Sequence, residues 1–323
     1  MEVTSLGGVG PATKTKLSEA GIYSILDLAT AGPADIAEAI DVDITKAVDL
    51  NNKARRKLVE MGRLEPDFIS ASDLLARRKN INRLSTGSKN LDELLAGGIE
   101  TRAMTEFYGE FGSGKTQVCH TLCCMVQLPP EQGGLDAGPV YIDTEGTFRP
   151  ERLSEIAEAR GQDPGEVLSK VIVARAYNSA HQELIVKDLG RIIEKNKLKL
   201  VIVDSAVAHF RAEYLGRRTL AERQQRLNRF MHQLLRTAEV HNIAVVMTNQ
   251  VLAAPDTFFG DPIRATGGHV VAHTSTYRIY LRKAGKNRIA RMVDSPYHPE
   301  RDAVFMLDEK GIDDPPEDGS KRR

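Results

Sequence analysis

The plainest lack in this sequence is charge of one sign. Among 323 residues, 44 Lys and Arg stand against 44 Asp and Glu, a formal net charge of zero. The chain-wide basic surplus that usually marks a phosphate-binding surface is therefore missing, although a sum over the chain says nothing of local charge. Long hydrophobic runs are missing too: no stretch approaches the roughly 18 apolar residues that a membrane-spanning helix needs. The opening MEVTSLGGVG has no basic segment followed by an apolar one, so no secretory signal is read there. Cysteine is scarce, and its three copies, Cys119, Cys123 and Cys124, crowd one short segment. An odd, clustered set argues against a disulfide framework; the three read as small buried hydrophobes on a helix. A reducing, intracellular setting is expected. No internal repeat is found. A composition of 41% hydrophobic and 27% charged residues is that of an ordinary globular protein, long enough for about two domains.

Residues 1–62 read as a small helical unit. Leu17, Ala20, Ile25, Leu28, Ile36, Ala39, Ile40, Ile44 and Val48 recur at three- and four-residue spacing, punctuated by Gly21 and Gly32-Pro33. A charged run leads into Glu65-Pro66, and residues 63–83 read as a linker with a short helix over 70–78. From 84 to 310 the pattern changes. Apolar strands are expected at 105–108, 140–143, 171–175, 200–204, 244–248, 277–281 and 289–293, and helices at 115–127, 151–160, 181–196 and 219–241 separate most of them. This alternation predicts an α/β core with a mainly parallel sheet. Residues 311–323 read as a disordered tail.

Gly109-Glu110-Phe111-Gly112-Ser113-Gly114-Lys115-Thr116 fits G-x-x-x-x-G-K-[ST], and it follows an expected strand and opens an expected helix. Such a P-loop turns its backbone N–H groups around phosphates at a helix N-terminus. Lys115 would neutralise the outer phosphates and Thr116 would bind Mg²⁺. Four apolar residues ending in Asp204 deliver a second metal-side carboxylate from a strand's C-terminal end, where open α/β sheets bind ligands. Hydrolysis also needs a group that orients water. By position Glu145 reads either as that group or as a structural loop carboxylate. His269 and His273 share a four-residue spacing, but with no third ligand evident they are not read as a zinc site.

GEFGSGKTQ (109–117), YIDTEGTFRPERL (141–153), VARAYNSAHQ (173–182), LVIVDS (200–205), TNQV (248–251), GGHVVAH (267–273) and DSPYHPE (294–300) together resemble, in order, the RecA-like DNA recombinases. The short leader before the helical unit resembles the archaeal branch. The resemblance implies a RecA-like P-loop ATPase core plus a small all-α helix–hairpin–helix N-terminal domain. It also implies an ATP-dependent recombinase that forms a filament on single-stranded DNA, pairs it with homologous duplex and exchanges strands. A regulatory RecA-like paralogue and a hexameric DNA motor are the alternatives. In that family pattern ATP and Mg²⁺ lie between protomers, and Gln117 completes the nucleotide loop. Glu145 matches the catalytic carboxylate, Arg152 stacks on adenine, and Gln250 links the γ-phosphate to a DNA loop. Asp294, Pro296 and Pro299 match a cap over the neighbour's nucleotide, and His273 a γ-phosphate sensor or an interface histidine. A cytoplasmic, nucleoid-associated homo-oligomer, as filament or ring, with room for recombination mediators, is expected.

Local charge is uneven. Between Phe210 and Phe230 six arginines stand against Glu213 and Glu222, and between Arg278 and Arg291 there are six basic residues and no acidic one. The first segment resembles the family's first DNA loop. Arg211, Arg217 and Arg223 match phosphate contacts, with Arg218 a fourth, while Arg226 and Arg229 also read as a solvated helix face. Residues 251–268, rich in Gly, Ala and Pro, resemble a flexible second DNA loop, closed by Gly267 and Gly268 after Ala265-Thr266 where many relatives have Pro-Ile. Leu6-Gly7-Gly8-Val9-Gly10-Pro11 resembles a helix–hairpin–helix turn. Residues 1–40 carry a net −3, so both a duplex-DNA role and a protein-contact role stay open for this unit. Phe68-Ile69-Ser70-Ala71 resembles a clip by which Phe68 and Ala71 of one copy seat near Ala174 and Ala176 of the next. Without the family, Phe68 is a linker aromatic packed on its own core.

Overall fold

Glycine and proline at helix boundaries, then strands too apolar to face water, divide the chain into two kinds of structure. The computed structural model describes residues 2–62, 64, 66–253 and 263–316. The chain divides into two compact units, residues 1–81 with 187–195, and residues 82–186 with 196–323.

The first unit opens with α1 (Pro11–Glu19), α2 (Ile25–Thr30), α3 (Pro33–Ile40) and α4 (Ile44–Glu60). Pro11 and Pro33 occupy first turns, where a missing N–H costs nothing, and Ser24 and Asp27 cap α2 reciprocally. Buried Asn51 ties α4 to the end of α2 by donating to the carbonyls of Leu28 (2.8 Å), Ala29 (3.2 Å) and Ala31 (3.1 Å). Leu17, Ile25, Leu28 and Ile36 are in the core as expected, but Ile44 and Val48 are exposed. The stripe Ala47, Leu50, Ala54 and Leu58 fills the inner face of α4 instead, and the two β-branched residues fall outside it. The linker carries α5 (Ala71–Arg78), started by Ser70, whose hydroxyl accepts the Asp73 N–H (3.1 Å). None of its side chains is buried.

The chain continues with β1 (Arg83–Leu84), α6 (Lys89–Leu94), β2 (Ile99–Glu100), β3 (Ala103–Gly109), α7 (Lys115–Met125) and β4 (Gly138–Asp143). Next come α8 (Pro150–Ala159), α9 (Pro164–Lys170), β5 (Ile172–Arg175), α10 (Ser179–Asn196), β6 (Leu198–Asp204) and α11 (Ala208–Glu213). Then follow α12 (Leu220–His241), β7 (Ala244–Asn249), β8 (Val251–Ala253), β9 (Ile263–Ala265) and α13 (Gly268–Thr274). β10 (Tyr277–Ala284), β11 (Asn287–Asp294), β12 (Asp302–Asp308) and β13 (Gly311–Asp313) complete it.

Among the described residues nine strands form one sheet, in the order β13-β12-β11-β10-β3-β7-β6-β4-β5. Pairing is parallel from β10 to β5 and antiparallel from β10 to β13. β3, β4 and β7 are buried along their whole length, as strands covered on both faces must be. Helix α7 buries the three cysteines as free thiols, and burial pushes the Cys124 thiol up to about 12. No helix among the described residues is long and apolar enough to cross a membrane.

Two expectations need correcting. Residues 311–313 are not tail: β13 pairs with β12, and Asp314 caps the start of α6 by accepting from Ser88 Oγ (2.6 Å), Lys89 N (2.8 Å) and Asn90 N (3.1 Å). A three-residue strand leaves too short a pattern to read beside glycine and proline. The second loop is not structureless at its base, where β8 and β9 form an antiparallel ladder. The flexibility expected of residues 254–262, like the tail expected of residues 317–323, concerns positions outside the described residues.

Candidate active site

The phosphate loop turns between β3 and α7. A Cβ at Gly109 would meet the Leu281 carbonyl oxygen at 2.1 Å, so only glycine lets β10 and the loop approach. Glu110 and Phe111 project outward, while Gly112 and Gly114 take φ of +72° and +108°. Ser113 is buried, and among the described residues its hydroxyl has no hydrogen-bond partner, an acceptor and donor left over inside the cradle. Lys115 Nζ donates to the carbonyls of Gly109 (2.7 Å) and Glu110 (2.9 Å). Burial lowers its pKa, against the pull of Asp204 and Glu145. Lys283 of β10 stands over Gly112, a second cation that its sequence position did not single out for this site.

Beside β3, the C-terminal ends of β7, β6 and β4 lie in consecutive order and bring the other groups in. Asp204 at the end of β6 is buried and accepts from Tyr141 Oη (2.6 Å) and from the Thr248 hydroxyl. Glu145 lies just past β4 with an exposed side chain, and Gln250, just past β7, donates from Nε2 to its Oε1 (3.0 Å). Two residues that sequence reasoning missed hold these ends. His120 Nδ1 lies 2.8 Å from the Thr116 carbonyl and its Nε2 accepts the Arg149 N–H at 3.2 Å, so a neutral ring joins the phosphate helix to the segment carrying Glu145. Burial lowers its pKa in keeping with that. Asn249 accepts from Gln250 N (2.8 Å) and from the Thr266 hydroxyl, and donates to the Thr266 carbonyl (2.7 Å) and to Glu106 (2.8 Å). This gives Thr266, the departure from Pro-Ile, a role that isoleucine has no hydroxyl to fill. As metal donors, the Thr116 hydroxyl and Asp204 carboxylate suit Mg²⁺, which keeps water and phosphate oxygens for its remaining positions.

Arg152 is fixed by Gln117 Oε1 (2.9 Å) and by the Asp308 carbonyl, which holds its guanidinium plane in one orientation. Asp294, Pro296 and Pro299 are exposed. Asp294 pairs with Arg278, which pairs with Glu106 on β3, three strand residues before Gly109, or about 10 Å of extended chain. His273 is exposed on α13 and stacks on His269, with ring centroids 5.7 Å apart. Phe68 is 94% exposed. Ala71 is exposed as well. β5 is the outer strand, with Ala174 half-buried beside exposed Val173, whereas Ala176 is fully buried.

Comparison with known proteins shows the family. The Rad51 family model matches residues 77–315. The chain belongs to the Rad51 family. A SAM-like helix-hairpin-helix tandem model matches residues 1–56. The chain is 52% identical over 314 residues to the DNA repair and recombination protein RadA of Cenarchaeum symbiosum, covering 97% of this chain and 79% of that protein. It is 50% identical over 315 residues to the RadA of Aeropyrum pernix, covering 97% of each.

On this Rad51-family core the basic segments divide by use. Arg211 is half-buried on α11, Arg218 is exposed, and Arg223 is half-buried on the first turn of α12; Arg217 begins a short 3₁₀ turn. Arg226 corrects the solvated-face reading. Its Nε and Nη2 meet both oxygens of Glu183 (3.0 and 2.8 Å), and Nη1 meets the Tyr214 hydroxyl. Glu213 is also engaged, accepting from Ser179 N (2.7 Å) and the Ser179 hydroxyl at the start of α10. In the second segment Arg278 pairs with buried Glu106 (2.7 Å) and Arg291 with Asp302 (2.8 Å). Gly267 and Gly268 take φ of +88° and +62°, turning the chain from the loop into α13.

Proposed function

We propose that this chain is an ATP-dependent homologous recombinase. As a Rad51-family protein it is a RecA-like recombinase with DNA-dependent ATPase activity; the finer reading is a filament on single-stranded DNA that pairs and exchanges strands. The observation that carries it is the 3.0 Å bond from Gln250 to Glu145. Gln250 follows Asn249, which also grips Thr266 at the far side of the second loop, so a change at that loop reaches the water-orienting carboxylate directly.

In this reading Lys115 neutralises the outer phosphates of ATP, and Thr116 and Asp204 hold Mg²⁺, which shields phosphate charge when bound. Glu145 orients and deprotonates the attacking water, and the fixed plane of Arg152 stacks on adenine. The exposure of Asp294, Pro296, Pro299 and His273 supports their use on a neighbouring protomer's nucleotide. The exposed Phe68 and the half-open Ala174 on an outer strand support a clip between copies. Arg211, Arg217, Arg218, Arg223 and the glycines 267 and 268 face phosphates, which are sequence-independent contacts. The helix–hairpin–helix unit serves duplex DNA or partner proteins, and the protein works in the cytoplasm on nucleoid DNA. Strand exchange with ATP, combined with electron microscopy and a Lys115→Ala control, tests the proposal. Filaments with exchanged product, lost in the control, are expected; rings without exchanged product overturn it.

A further inference from the structure

Asp143, the last residue of β4, is 5% exposed, and its carboxylate is wrapped by the loop that follows. Oδ1 accepts the N–H groups of Glu145 (3.1 Å), Gly146 (2.7 Å) and Thr147 (3.2 Å), and Oδ2 accepts that of Phe148 (3.3 Å). Arg175 lies opposite Asp143 in the β4–β5 register. Its Nη1 donates to Oδ1 (3.0 Å) and to the Asp143 carbonyl (3.3 Å). The same guanidinium lies over Gly146, where a Cβ would come within 3.1–3.3 Å of it and where φ is +74°. Four consecutive N–H groups can meet one carboxylate only if the backbone curls around it, and an ionised carboxylate is the acceptor that such a curl favours.

We propose that Asp143 and Arg175 are the positioning residues for Glu145. The inference rests on the reading of Glu145 as the water-orienting group. The Glu145 backbone is strung on Asp143 at one end of the loop, its side chain is met by Gln250, and Arg175 locks the anchor against β5. Positioning of this kind acts on the hydrolytic step and leaves nucleotide binding to the phosphate loop.

The test is the DNA-dependent ATPase of the full chain, read as kcat and KM separately. Asp143→Asn, which keeps size and loses charge, is expected to lower kcat about 10- to 100-fold, the scale of an ångström's misplacement of a catalytic group. KM for ATP and filament formation with a non-hydrolysable ATP analogue should stay within about twofold of wild type. Arg175→Ala should follow the same pattern, and Arg175→Lys should recover part of kcat. In a Glu145→Gln background, measured by single-turnover release of phosphate, adding Asp143→Asn should cost nothing further, because the group being positioned is already gone. Equal losses from Asp143→Asn with and without Glu145 overturn the proposal, as does a rise in KM in step with the fall in kcat. Unchanged kcat in Glu145→Gln alone overturns the reading of Glu145 itself, and the proposal with it.

Discussion

Arg278→Met probes the buried hub beneath the second loop. Glu106 is fully buried; one carboxylate oxygen accepts from Arg278 Nε (2.7 Å) and the other from Asn249 Nδ2 (2.8 Å). The Arg278 side chain is 14% exposed and its guanidinium lies 5.2 Å from the Tyr108 ring centroid. Removing the guanidinium leaves a buried carboxylate without its counter-charge, a loss of about 3–5 kcal/mol. At roughly 2–4 °C per kcal/mol for a unit of this size, the melting temperature should fall by about 6–20 °C. Glu106→Leu combined with Arg278→Met removes both charges and should return to within about 1–2 kcal/mol of wild type, because the desolvation cost disappears with them. Calorimetric melts of wild type, both single variants and the double variant, at one salt concentration without nucleotide, complete the cycle. A double variant as unstable as Arg278→Met refutes the reasoning. Steric loss of the long side chain, and not a stranded charge, would then govern the site.

Gly109→Ala should abolish nucleotide binding in equilibrium dialysis, since the new methyl group would collide with the Leu281 carbonyl at 2.1 Å. Two arginines twelve residues or fewer from Tyr214 should behave in opposite ways. Arg218→Ala should reduce the salt slope of single-strand binding by roughly one while leaving the melting temperature alone. Arg226→Ala, which strands Glu183, should cost about 1–3 kcal/mol of stability with the slope unchanged. Burial lowers the His298 pKa, with Glu100 raising it and Arg83 lowering it further. The folded state therefore binds fewer protons than the unfolded state below pH 6.5, so stability should fall as pH drops through that range. His298→Leu should melt with a shallower pH dependence there, and an unchanged slope refutes the assignment.

Strands were the legible part of the fold. The seven strands expected between 105 and 293 all exist, because short β-branched and aromatic runs bounded by turns have few alternatives inside an α/β core. Short elements were not legible. The three-residue ladders of β8 with β9 and β13 with β12 are too short to show a period, and the Asp314 cap on α6 joins residues more than 220 positions apart. On α4 the apolar periodicity was real but its phase was misread. Ile44 and Val48 lie off the buried stripe of Ala47, Leu50, Ala54 and Leu58.

The site shows the same division in terms of charge. A motif states which residue types suit phosphate, and the P-loop and the strand ending in Asp204 were readable as a motif, whereas Glu145 by position alone stayed open between two readings. Charge counts along the chain do not state which charges are already spent. Of the arginines between Phe210 and Phe230, Arg226 is committed to Glu183; of the basic residues between Arg278 and Arg291, both end members are committed to carboxylates from other strands. Each commitment orients a neighbour: Arg226 holds Tyr214 at the first loop, and Arg278 holds Glu106 and through it Asn249 at the second. Three of the twelve basic residues in the two segments thus belong to the scaffold that sets the loops, and exposed arginines such as Arg218 are the ones that should govern salt-dependent DNA affinity.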